Sequence, residues 1–195
     1  MNIAQIWMDN DWIVKILIIS LGVVLVMVLE KLYSYYTLYI TLKELNDIEN
    51  LEEIDELKES YIKQTLTEIK EFSTSSSETL LNSFINVKLD LYEQYTMKYI
   101  TTIGLIAVLA PMLGLIGTFI GVWHVFDGVS DISLSDPSII ARGIKEVLID
   151  TMSGLIVAVI SMVFYKGFEY VSGQNVSKFE EKVYRLIREK DAKKS

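Results

Sequence analysis

Apolar residues along this chain gather in three blocks instead of recurring evenly. The first runs from Trp12 to Leu29, the second from Tyr99 to Phe126, and the third from Val147 to Tyr165, interrupted by Asp150. The second block passes 28 positions without an Asp, Glu, Lys or Arg, and about 20 apolar residues already let a helix cross a bilayer. The pattern therefore predicts an all-α membrane protein with three transmembrane helices, over 12–29, 99–126 and 143–167. Lys15 sits near the start of the first block, where its long stem can snorkel to the interface. A cleavable leader is a poor reading of that block, since no basic stretch precedes it and no small-residue cleavage site follows. Glu30 and Lys31 come next and read as the exit of a membrane anchor.

Residues 30–98 contain neither glycine nor proline and are rich in Leu, Glu, Lys, Ile and Tyr, which favours helix. Leu42, Leu45, Ile48, Leu51, Ile54, Leu57, Tyr61 and Ile62 recur mostly at steps of three and four, as on one face of a helix. The run Ser73 to Ser77 is the natural break, because a serine there can cap a helix starting at Glu78. This predicts a first helix that continues past the membrane, turns near the serines and returns as a helical hairpin into the second span. After the third span, Phe168, Val171, Val176, Phe179, Val183, Leu186 and Ile187 form a similar stripe. Residues 168–195 are expected to continue the third helix as a tail, with Gly173 its weakest point. The ordinary use of such stripes is to pack against each other; the alternative is to recruit other proteins.

Orientation follows from Lys and Arg. The first 14 residues hold none, and neither does Asp127 to Ala141, whereas the hairpin and the tail each carry many. Residues 1–11 and the connection 127–142 are therefore expected outside, and 30–98 and 168–195 inside. The N-terminus is then expected outside the cytoplasm and the C-terminus inside.

Composition removes several classes of function. A net charge of −8 argues against a nucleic-acid partner. Without cysteine and with one histidine there is no thiol nucleophile, no disulfide and no Cys- or His-clustered metal site. Phosphate- and dinucleotide-binding glycine motifs are absent. No enzyme, cofactor or resident metal is expected.

What remains is the special faces of two spans. Ala107, Ala110, Pro111, Gly114, Gly117, Thr118 and Gly121 fall within roughly 120° of one helix circumference. Glu146, Asp150, Ser153, Gly154, Ala158 and Ser161, with Thr151 at the border, fall within about 160° of the other. Small residues in membrane helices most often permit backbone approach, so Pro111, Gly114, Gly117, Gly121, Gly154 and Ala158 are read as packing positions, Pro111 as a bend. Intramembrane carboxylates are costly and usually face protein or a wet cavity. Asp150 is thus a candidate for an ion path, with pairing to Lys145 or Arg142 as the plain alternative. Thr118 and Thr151 can order water or simply bond the preceding turn. His124, beside Trp123, reads as an interfacial residue.

The strings Ala110-Pro-Met-Leu-Gly-Leu-Ile-Gly-Thr118-Phe-Ile-Gly-Val-Trp-His-Val-Phe and Gly143-Ile-Lys-Glu146-Val-Leu-Ile-Asp-Thr151-Met-Ser-Gly-Leu resemble the MotA/TolQ/ExbB proton-channel family, and within it the three-span ExbB/TolQ branch. The resemblance implies a homopentamer around two copies of a single-span ExbD/TolR-like partner. Such a motor is lipid-embedded and uses the ion gradient to drive transport or envelope processes. It also implies that Thr118 and Thr151 line the ion pathway and that Glu146 stands at the membrane entry. Glu146 and Asp150 together are expected to favour cations at the cytoplasmic end. Asp150 departs from the family pattern, which commonly has a small residue before the threonine. The rival from another class is a non-conducting scaffold that recruits cytoplasmic proteins through the hairpin and tail.

Overall fold

The computed structural model describes residues 12–48, 51–57, 59–75, 78–131 and 137–194, and among them it contains helices and no strand. Five α-helices follow in order: α1 Trp12–Asp47, α2 Tyr61–Ser75, α3 Glu78–Met97, α4 Ile100–Asp131 and α5 Pro137–Lys194, with a short 3-10 turn at Leu51–Glu56 between α1 and α2. Three of these, α1, α4 and α5, are long and apolar enough to cross a membrane. The chain forms two compact units, one from the described parts of Met1–Leu29 and Tyr99–Lys166, the other from Glu30–Lys98 and the rest of the chain after Lys166. The periplasmic segment expected at 1–11 lies outside the described residues, as does the middle of the expected connection.

In the first unit, Ile13 and Leu17 of α1 pack with Ala110 of α4 and with Val157 and Ala158 of α5, supported by Leu21, Ile106, Leu113 and Ile120. The largest side chains point away from this core: Phe119 and Phe126 are 72% and 71% exposed. That is the arrangement expected of helices whose surroundings are lipid, where a large apolar residue gains nothing from being hidden. Pro111 lies inside α4, which runs on through it.

The second unit is built the other way round. Leu42, Leu45, Ile48, Ile54, Leu57, Ile62, Leu66 and Ile69 form one core with Leu81, Ile85, Leu89 and Tyr92 of α3 and with Phe179, Val183, Leu186 and Ile187 of α5. The Tyr92 and Phe179 rings touch with centroids 4.4 Å apart. Most of both apolar stripes read from the sequence goes into this single core, while Val171 is exposed and Phe168 is buried against the Tyr35 ring. α5 passes Gly173 without a break, and Val176 just beyond it packs against the same core.

The hairpin differs from its expected course in one respect. The stripe from Leu42 to Ile62 is not one helix: α1 ends at Asp47, Leu51–Glu56 form the 3-10 turn, and α2 begins at Tyr61. Asn46, Asp47 and Asn50 are weak helix formers, and the spacing of Ile48, Ile54 and Leu57 serves a buried turn as well as it serves a helix. Lys182 of α5 fixes the turn by donating its Nζ to the Ile48 carbonyl at 2.5 Å, satisfying one of the carbonyls exposed beyond a helix end. A second break, at the start of α4, places Tyr99 at φ 68°, a left-handed conformation uncommon outside glycine. There Lys98 N donates to the Tyr95 carbonyl and Ile103 N to the Tyr99 carbonyl.

Candidate functional site

α4 and α5 run antiparallel and approach so closely that side chains are excluded between them. A methyl group on Gly154 would lie 2.6 Å from the Ala110 carbonyl oxygen and 3.1 Å from the Gly114 Cα. One on Gly114 would lie 2.9 Å from the Asp150 carbonyl oxygen and 3.2 Å from the Thr151 Cα. Backbone meets backbone here, as glycine alone allows. The pairing continues in register: Gly104 receives the ring of Tyr165, Gly121 receives Val147, and Gly143 receives Val125.

Asp150 sits in this seam. Its side chain belongs to a residue only 6% exposed, and a methyl on Gly117 would fall 2.5 Å from Asp150 Oδ2 and 2.8 Å from its Cβ. The carboxylate therefore occupies a slot that exists because position 117 has no side chain. Thr118 and Thr151 are each the next residue along from this contact, and both are half-exposed at the edge of the seam. Thr118 Oγ1 donates to the Leu115 carbonyl at 2.6 Å, which uses its proton and leaves the oxygen's acceptor capacity available. Ala158 is buried farther along α5, and Ser161 is fully buried with no hydrogen-bond partner for its Oγ among the described residues. Pro111 is half-exposed beside the Ala110 contact. Glu146 lies on α5 one turn before Asp150, with its side chain outside the described residues.

Val147 faces Gly121 and Gly143 faces Val125, so Glu146 and Asp150 lie on the side of the Gly114–Gly154 contact nearer the connection after α4. On the orientation expected from Lys and Arg that side is the exterior one, which sets the expected cytoplasmic-end role of the two carboxylates against the expected topology.

Two partners were missed in the sequence. Gly104 falls about 20° beyond the edge of the small-residue arc on α4, so a slightly wider arc would have included it. Tyr165 carries no such signal, since an aromatic residue closing an apolar block reads equally as a membrane-interface anchor. Among the described residues there is no group of three or more His, Cys, Asp or Glu able to hold a metal ion.

Comparison with known proteins points in one direction. The profile of the MotA/TolQ/ExbB proton channel family matches residues 53–181. A putative biopolymer transport protein ExbB homolog of Methanothermobacter thermautotrophicus is 45% identical over 75 residues, covering 37% of this chain and 24% of the relative. The biopolymer transport protein ExbB of Salmonella typhimurium is 36% identical over 70 residues, 36% of this chain and 28% of the relative. The matched stretch thus spans about a quarter of the length of each relative.

Proposed function

Because the chain belongs to the MotA/TolQ/ExbB proton channel family, we propose that it is a ring-forming subunit of an ion-driven motor in the bacterial inner membrane. It assembles as a homopentamer around two copies of a single-span ExbD/TolR-like partner, with its N-terminus periplasmic and its C-terminus cytoplasmic. The energy of the ion gradient is passed through that partner to transport or envelope processes.

The observation that supports this reading is the placement of the two threonines. The α4–α5 seam is closed by backbone contact at Gly114 and Gly154, which leaves no room for water inside the pair. Thr118 and Thr151 stand at the edge of the seam, where a hydroxyl can order water or face a partner helix. Glu146 and Asp150 add negative charge on the exterior side and favour cations there. Gly114, Gly117, Gly121 and Gly154 hold the wall rigid so that these groups keep their spacing. The scaffold alternative is less supported, since most of the stripe residues that would recruit partners are buried in the second unit's own core.

The test is the double variant Thr118→Val with Thr151→Val, co-expressed with the partner. Proton flux into vesicles is expected to fall to the background of empty vesicles while the ring still assembles, as both side chains are half-exposed. Unaltered flux through a normally assembled double variant rejects the assignment.

A further inference from the structure

α1 keeps an uncharged, outward-facing sector well beyond its first apolar block. Leu25, Val26, Leu29, Leu32, Tyr33, Tyr36 and Tyr39 are all exposed and fall within roughly 140° of the helix circumference. The first charge in that sector is Lys43, also exposed. Lys31, which in the sequence looked like the exit from the membrane, is instead tucked away, 4% exposed with its Nζ 5.1 Å from the Tyr35 ring centroid. It therefore does not mark where the sector meets water.

A second helix carries the same feature at the same level. Tyr35 donates its hydroxyl to the Phe168 carbonyl at 3.0 Å, and Lys182 reaches the Ile48 carbonyl. These two contacts share nearly one sequence offset, so α1 and α5 run parallel within the second unit and Tyr170 lies level with Tyr36. Tyr33, Tyr36, Tyr39 and Tyr170 are between 66% and 74% exposed, and none of the four packs into the unit's core.

We propose that these tyrosines are an aromatic belt seated in the lipid headgroup layer of the cytoplasmic leaflet, and that the membrane surface therefore lies near Tyr36 and Tyr170 and not at Glu30. The occupant of the face is lipid. The aliphatic part of the sector continues the lipid-facing surface of α1. A tyrosine ring suits the next layer, because its body is apolar and its hydroxyl is satisfied by headgroups or water. Lys43 follows one turn after Tyr39, placed to meet anionic headgroup phosphates. The length agrees: from Trp12 to Tyr36 α1 rises about 36 Å, between the roughly 30 Å hydrocarbon core and the 40–45 Å of a bilayer with its headgroups.

This inference rests on the membrane reading of α1, and its test separates the two. The chain contains no cysteine, so Leu29→Cys, Tyr33→Cys, Tyr36→Cys, Tyr170→Cys and Lys43→Cys each give a single labelling site. The full-length variants, nitroxide-labelled and reconstituted in phosphatidylethanolamine–phosphatidylglycerol vesicles, are probed for access to oxygen and to a water-soluble nickel chelate. Oxygen access is expected to dominate at position 29 and nickel access at 43. Positions 33, 36 and 170 should fall between, with 36 and 170 alike. Tyrosine positions as nickel-accessible as 43, with 29 still oxygen-exposed, overturn the belt alone. A nickel-accessible position 29 overturns the span as well. Immobilised labels closed to both reagents at 33, 36 and 170 overturn the belt in favour of a second copy of the chain covering this face.

Discussion

The two units of this protein solve opposite packing problems with the same secondary structure. In the unit of α2, α3 and the flanking ends of α1 and α5, the large residues Tyr92, Phe179 and Leu66 are fully buried. In the membrane unit Ala107, Ala110, Gly114, Gly117 and Gly154 are buried alongside a few larger residues such as Leu17, Ile100 and Ile103, while the phenylalanines Phe119 and Phe126 and many of the leucines face outward. Water drives the first arrangement, since hiding apolar area from it stabilises the fold. Lipid removes that drive, and close van der Waals approach of backbones takes its place. Helix surroundings, not helix propensity, decide which residue sizes go inside.

The largest expected effect follows directly. Phe179→Ala removes a fully buried ring in contact with Tyr92 and is expected to cost about 3–5 kcal/mol. Phe119→Ala removes an equal ring from a surface position and is expected to change stability within about 0.5 kcal/mol. Denaturant unfolding of the full chain in detergent, followed by circular dichroism, compares the two. Equal losses would mean that both units bury large residues for the same reason, and the contrast would collapse.

A smaller and opposite test uses glycine. Gly154→Ala forces a methyl against the Ala110 carbonyl and the Gly114 Cα, neither of which is a flexible side-chain end, and overpacking of this kind typically costs about 1–3 kcal/mol. Gly22→Ala on α1 meets nothing within 4 Å and is expected to gain about 0.5–1 kcal/mol from the loss of glycine's backbone freedom. Thermal unfolding in detergent should therefore move in opposite directions for the two variants. A shift of the same sign in both would show that the seam is looser than its geometry.

The three spans were legible because apolar runs of such length with at most one charged residue each have few other uses, and the small-residue faces because helical periodicity survives in the sequence. The turn after α1 was not legible. In the sequence Ile48, Leu51, Ile54 and Leu57 keep a three-residue spacing through it, and only the long-range contact with Lys182 and the α5 tail reveals that Ile48, Ile54 and Leu57 line a bend. Similarly, the stripe on the tail and the stripe on the hairpin were each visible, but nothing local says that they share one core. At the site, Thr118, Thr151 and Asp150 could be named from a motif and from the cost of a membrane carboxylate. That Gly117 opens the slot for Asp150 required the register between two helices, which periodicity alone does not supply.

The smallest expected effect concerns charge at the surface of the second unit. Glu68 pairs with Lys88, and Gln64 Nε2 donates to Glu68 Oε1 at 3.3 Å. The hydrogen bond from Lys88 is the main reason that the Glu68 carboxyl is held below its ordinary value. A carboxylate with a depressed folded-state pKa stabilises the fold above its unfolded pKa, about 4.3 for glutamate, and that contribution disappears as pH falls through the folded value. Exposed pairs of this kind contribute below about 1 kcal/mol. Lys88→Met should therefore reduce the stability difference between neutral pH and pH ~3 by no more than that, and added salt should reduce the wild-type difference in the same sense. A larger acid loss that persists in Lys88→Met would place the pH-sensitive group elsewhere, and the contrast would then have to include charge within the membrane unit.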